Sequence, residues 1–175
     1  MHRTFLTRVA MLFALIAALL GATAVPASAA PGDQYSPVVI VNGATSGHLV
    51  PNDLGANHND DIWMWAWNGP TYGSDQWTFE ERAGGYYLIR NNVTRKCLKP
   101  APYTYGGKTY VTQGNCNDSF ESQWWLERSP FTGLYKIVNR ASHEALTPYL
   151  NGPNQVVVLE TDSNDAKNWW SLTGF

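Results

Sequence analysis

Apolar and polar positions alternate in short bursts along this chain, and one burst occurs three times. Val38-x-Ile40-x-Asn42 returns as Tyr87-x-Ile89-x-Asn91 and as Tyr135-x-Ile137-x-Asn139. Alternation with a period of two puts Val or Tyr and the Ile on one face of a strand, which the Asn ends. Seven residues after each Asn stands a Leu (Leu49, Leu98, Leu146), and two residues later a Pro (Pro51, Pro100, Pro148). The six residues in between are mostly turn formers or polar. A second short strand therefore starts at each Leu, and the Pro stops it or holds it at an edge. A third strand-like run follows at 62–67, 109–112 and 156–159. Each unit closes on Trp-x-Phe or Trp-x-Leu, at Trp77, Trp124 and Trp170. The predicted content is four short strands in each of three copies, twelve in all. No stretch beyond the N-terminal segment shows the 3.6-residue period of a helix.

Threefold, four-stranded units of this length fit either a β-trefoil or propeller blades, and three blades are too few for a propeller. The predicted fold is all-β, a β-trefoil with pseudo-threefold symmetry. Its equivalent Leu, Ile and Trp side chains would meet around one axis. Each repeat Trp would bury roughly 200 Å² there, which makes Trp77, Trp124 and Trp170 core residues first.

The segments YKIVNRASHEAL, GYYLIRNNVTRKCL and SDQWTF resemble the ricin-B-type (R-type) lectin domain, a β-trefoil of three QxW repeats. The resemblance covers about residues 36–175, with repeats at about 36–82, 83–130 and 131–175. It implies a carbohydrate ligand. It also implies a site built from an Asp after the repeat Leu, a stacking aromatic on the third strand and amides near the QxW segment. At the first of these positions this chain has Val50, Lys99 and Thr147. Two residues before the repeat Trp it has Asp75, Ser122 and Asn168, while Gln76 and Gln123 sit one before.

The first copy carries the best candidate site. Ile62-Trp63-Met64-Trp65-Ala66-Trp67 alternates strictly, so inward Ile62, Met64 and Ala66 would leave Trp63, Trp65 and Trp67 together on the outer face. Such an apolar platform usually marks a binding surface. Asp53, Asp60, Asp61, Asn57, Asn59, Asn68 and Gln76 would supply hydrogen bonds around it. Alternatively, the Trp face packs beneath the 51–61 loop or against a partner domain. The other copies have Gln113-Gly114-Asn115 and Leu159-Glu160 where a ring is needed, unless Tyr103, Tyr105 or Tyr149 swings in from a loop.

The N-terminus adds a location. MHRTFLTR is basic, Val9 to Val25 is uncharged and apolar over 17 residues, and Ala27-Ser28-Ala29 fits a small-residue cleavage site. This is the layout of a secretory signal peptide over residues 1–29, followed by a single domain over 30–175 that is secreted to the extracellular space. The competing reading, a membrane anchor, has a run at the short limit of a bilayer span and no charge cluster behind it. Arg3 and Arg8 lie in the leader, which leaves 10 basic and 14 acidic side chains, a net of −4, in the rest. Such a chain is a poor ligand for nucleic acid or for anionic lipid, and no other stretch suits membrane insertion.

Cys97 and Cys116 are the two cysteines. One even pair in a secreted chain implies a disulfide, and the resembling family joins these positions within a repeat. No metal or cofactor is expected. Catalytic motifs are missing: there is no HExxH, GxSxG, P-loop or GxGxxG, and Glu80-Glu81 reads as a solvated strand end. No catalytic residue is predicted. Two function classes remain. One is a secreted, non-catalytic carbohydrate-binding module. The other is a degenerate trefoil that binds a protein partner, as a toxin accessory or an inhibitor.

Overall fold

A computed structural model of the chain describes residues 34–175; the expected signal peptide lies outside the described residues. The described chain is all-β. Its strands are β1 (Gln34–Asn42), β2 (His48–Pro51), β3 (Met64–Trp67), β4 (Gln76–Arg82), β5 (Tyr86–Asn91), β6 (Cys97–Tyr105), β7 (Lys108–Gly114), β8 (Trp124–Arg128), β9 (Tyr135–Asn139), β10 (Glu144–Pro148), β11 (Gln155–Thr161) and β12 (Trp170–Thr173). Two three-residue 3₁₀ turns, Phe120–Ser122 and Ala166–Asn168, precede β8 and β12.

Antiparallel pairing joins β1 to β4, β4 to β5, β5 to β8, β8 to β9, β9 to β12 and β12 back to β1. Those six strands close a barrel, which removes their free edges. The remaining six form the hairpins β2–β3, β6–β7 and β10–β11. The hairpins touch each other through Trp63–Thr112, Tyr110–Val158 and Val156–Trp65. The register makes these contacts equivalent, because Trp63, Tyr110 and Val156 occupy the same place in their hairpins, as do Trp65, Thr112 and Val158. This barrel with a hairpin triplet is the β-trefoil that the three repeats predict.

The recurring sequence positions have specific physical tasks. Trp77, Trp124 and Trp170 are fully buried, and each indole Nε1 donates to the carbonyl of its own repeat's Leu: Leu49 at 2.9 Å, Leu98 at 3.0 Å and Leu146 at 2.9 Å. That bond ties the hairpin to the barrel. The repeat Asn residues are equally buried. Each Oδ1 accepts the backbone N–H groups two and three residues on: Ala44 and Thr45, Val93 and Thr94, Ala141 and Ser142. Each Nδ2 donates to a carbonyl three residues before a core Trp of the neighbouring repeat: Asn42 to Lys167, Asn91 to Ser74 and Asn139 to Glu121. The Asn side chains therefore close the turns and also stitch repeat to repeat around the ring.

One core runs from the barrel into the inner face of the hairpins, joining Ile40, Ile89 and Ile137 to Leu49, Leu98, Leu146, Met64, Val111 and Val157. Phe175 packs with Tyr35, Phe79, Tyr87 and Tyr135. Cys97 and Cys116 are bonded, as expected.

Two expectations are corrected. Glu80 and Glu81 are buried rather than solvated, and Glu80 pairs with both Arg82 and Arg90. Residues 101–105 extend strand β6 rather than forming a loop, because Thr104 pairs with Thr109 across the hairpin. Among the described residues, no helix is long and apolar enough to cross a membrane.

Candidate functional site

Strand β3 alternates as its sequence demands, but Ile62, expected inward, precedes the strand, half-buried and outside the core. Met64 and Ala66 enter the core, while Trp65 and Trp67 stay half-buried on the outer face and Trp63 is 41% exposed. The three indoles do not form one continuous row. Trp65 and Trp67 meet edge to face, with centroids 6.2 Å apart. Trp63 instead stacks on Tyr110 of the second repeat, with centroids 5.1 Å apart and planes 17° from parallel. Its Nε1 donates to the Tyr103 hydroxyl at 2.6 Å, and Tyr103 is itself 39% exposed and edge-on to Tyr110.

The reason lies in the hairpin contacts. Trp63 faces Thr112 of β7, so its ring crosses onto the second repeat. Trp65 is flanked by Val50 and Val156 instead. Beneath them, Ala101, Tyr110 and Val158 form a small apolar cluster outside the main core. The result is an aromatic cap with one open ring face, on Trp63. Trp67 is partly covered, since its Nε1 donates to the Pro70 carbonyl at 3.1 Å. Gly69 lies so close that a Cβ there would sit 2.7 Å from that nitrogen. Trp65 keeps a buried Nε1 without a hydrogen-bond partner.

The predicted polar partners are distributed differently. Asp53 folds its own loop, accepting from the N–H groups of Gly55 and Asn57. Asp61 lies 3.6 Å from the Lys99 ammonium, and its N–H donates to the Gln113 carbonyl. The 51–61 loop thus binds the second repeat. Asn68 exchanges two hydrogen bonds with Asn154 and donates a third to the Thr45 carbonyl. Gln76 is exposed at the start of β4, opposite Val39.

The position after each repeat Leu shows why these sites differ from one another. Val50 is buried. Thr147 is buried too, its hydroxyl turned to the Ala145 carbonyl and to Asn168. Lys99 borders a cleft of about 520 Å³ that the sequence reading missed, lined also by Asp61, Pro102, Glu121, Ser142 and Glu144. Its acids come one from each repeat, Asp61, Glu121 and Glu144, so no single stretch of sequence signals it. Asp75, another family position, holds His48 Nδ1 at 2.8 Å. Among the described residues, no group of three His, Cys, Asp or Glu side chains could hold a metal ion.

Comparison with known proteins agrees with this geometry. Residues 73–154 match the family described as ricin-type beta-trefoil lectin domain-like. No curated protein matches the chain in sequence. Among solved structures, the designed threefold-symmetric protein ThreeFoil is similar, with a TM-score of 0.69 and 20% identity over 79% of this chain and 96% of its own. SeviL, solved bound to asialo-GM1 saccharide, gives a TM-score of 0.57 and 21% identity over 79% of this chain and 96% of its own. An exo-beta-1,3-galactanase from Clostridium thermocellum gives a TM-score of 0.71 and 18% identity; the likeness covers 80% of this chain and 30% of that one. At such identities these structures speak for the fold alone. Residues 73–154 thus carry the sequence pattern described as ricin-type beta-trefoil lectin domain-like, and the described chain has the β-trefoil fold.

Proposed function

We propose that this chain is a secreted, non-catalytic carbohydrate-binding module in which a sugar ring stacks on Trp63. Carbohydrate binding is supported at the level of the family. The observation that carries the finer reading is the open indole face of Trp63, held in place by Tyr110 behind it and by the Tyr103 hydroxyl at its edge. A fixed ring offers apolar area to the C–H face of a pyranose at little entropic cost. Asp61, two residues away and more than half exposed, supplies an acceptor for sugar hydroxyls. A site of this size binds weakly, in the millimolar to high micromolar range. Secretion is supported by the basic, apolar and small-residue order of residues 1–29.

Titration with a glycan panel, followed by intrinsic tryptophan fluorescence, tests the reading. A saturable change that disappears in Trp63→Ala, with the melting temperature kept, is expected. A binding signal that survives Trp63→Ala unchanged would move the site elsewhere. Release of reducing sugar from any polysaccharide would overturn the non-catalytic part.

One observation favours a second reading, a degenerate trefoil that binds a protein. No repeat has a carboxylate after its Leu: Val50 and Thr147 are buried, and Lys99 is ion-paired. A blank glycan array combined with a specific protein partner would favour it.

A further inference from the structure

A second concavity lies where the third repeat meets the end of the second and Gly43 of the first. It has about 520 Å³ and is lined by Trp169, Phe131, Leu134, Glu127, Thr132 and Asn164. Two departures from the repeat pattern converge there. The residue before the core Trp is Gln76 in the first copy and Gln123 in the second, but Trp169 in the third. The strand ladder β8–β9 stops at the Arg128–Tyr135 pair and turns through six residues, whereas β4–β5 pairs on to Arg82–Tyr86 and turns in three. Neither departure serves the core. Phe131, at the tip of the longer turn, is 94% exposed. The Ser129 hydroxyl holds that turn by accepting the N–H groups of Phe131 and Thr132.

Trp169 is fixed as well. The Lys136 ammonium sits 4.8 Å from its ring centroid, and its carbonyl accepts the Gly43 N–H at 2.8 Å. Gly43 keeps the floor open, since a Cβ there would press on Leu134 at 3.0 Å. The electrostatics select the ligand. Lys136 is already bracketed by Asp162 at 2.7 Å and Glu127 at 3.4 Å, so the groove offers no uncompensated cation to an anionic group. Aromatic faces are left beside a carboxylate, a hydroxyl and an amide. That combination suits an uncharged pyranose, with C–H faces for the rings and hydroxyls for the polar rim.

We propose that this groove is a second sugar subsite, for uncharged hexose units, with Phe131 and Trp169 as the ring partners. The inference rests on the carbohydrate-binding reading but uses a different surface from Trp63. Two sites on one module would bind a polysaccharide bivalently, with an avidity that neither site has alone.

The test is ¹H–¹⁵N NMR of the indole N–H signals, assigned by single Trp→Phe variants, during titration with lactose, cellotriose, maltotriose and chitotriose. The expected result is a saturable shift of the Trp169 signal with at least one sugar. That shift should persist in Trp63→Ala and weaken by up to about tenfold in Phe131→Ala, an exposed change that leaves the fold intact. A Trp63 signal that moves while Trp169 stays still overturns this proposal and leaves the first reading standing. If neither moves, both readings fail. A Trp169 shift produced by an apolar peptide and by no sugar makes the groove a protein-docking surface and also overturns the proposal.

Discussion

Asn91 is fully buried; one of its side-chain hydrogen bonds holds two repeats together and two more close its own turn. Its Nδ2 donates to the Ser74 carbonyl at 2.7 Å, and its Oδ1 accepts from the N–H groups of Val93 and Thr94 at 3.0 Å each. Asn91→Ala removes all three at once and strands the Ser74 carbonyl, whose residue is completely buried. With about 1 kcal/mol for a typical bond and 1–3 for an orphaned buried group, the loss is about 3 kcal/mol. Urea unfolding followed by tryptophan fluorescence measures it. With m of about 2 kcal/mol/M, the midpoint should fall by about 1.5 M while m stays constant. Asn91→Asp sharpens the test. A protonated Asp can still donate to Ser74, but an ionised one sets a negative charge against that carbonyl. Its folded pKa is therefore raised, so the variant is most stable at acid pH and loses stability as pH rises through that value. A midpoint shift below about 0.3 M for Asn91→Ala, or an Asn91→Asp variant indifferent to pH, would refute the assignment of the repeat Asn as an inter-repeat clamp.

Opening the Cys97–Cys116 bond, which spans 19 residues, should cost roughly 3 kcal/mol, read as the stability difference between the wild type and the Cys97→Ala/Cys116→Ala double variant; a difference below about 1 kcal/mol would contradict it. Burial lowers the pKa of Lys136, but the hydrogen bond and charge of Asp162, joined by Glu127, outweigh it and hold the ammonium above its ordinary value of 10.5. The folded state thus binds that proton more tightly than the unfolded chain does. The resulting stability is complete below 10.5 and is lost as pH rises through the folded value. Thermal melts across the alkaline range should show this slope in the wild type and a shallower one in Lys136→Met; identical slopes would count against the ion-pair triad.

Much of the fold was legible because its determinants are local and tripled. The V/Y-x-I-x-N alternation and the turn-forming gap act within a few residues and appear where the structure has β1, β2 and their equivalents, and the Leu-x-Pro stop ends β2 and β10, whereas β6 runs on past Pro100. Even the spacing from Leu to Trp has a physical content, since it is the hydrogen bond from indole to Leu carbonyl. The buried Glu80 was not legible. Its partner Arg90 comes from the next strand, and charge counting alone reads such a pair as solvated.

The site divides along the same line. Alternation at 64–67 determined that Trp65 and Trp67 leave the core on one side of β3, with Trp63 just before it in the same phase, and it needed no other part of the chain. Their separation into Trp63 against Tyr110 and Trp65 against Trp67 was decided by hairpin docking, which brings β7 to one end of β3 and β11 to the other. The groove at Trp169 and Phe131 also exists only in three dimensions, because its walls are 38 residues apart in sequence and meet when β9 pairs with β12. Sequence by itself specified which side chains face outward, because strand geometry is periodic. Tertiary structure decided which of them share a surface, because long-range contacts depend on how twelve strands close around one axis.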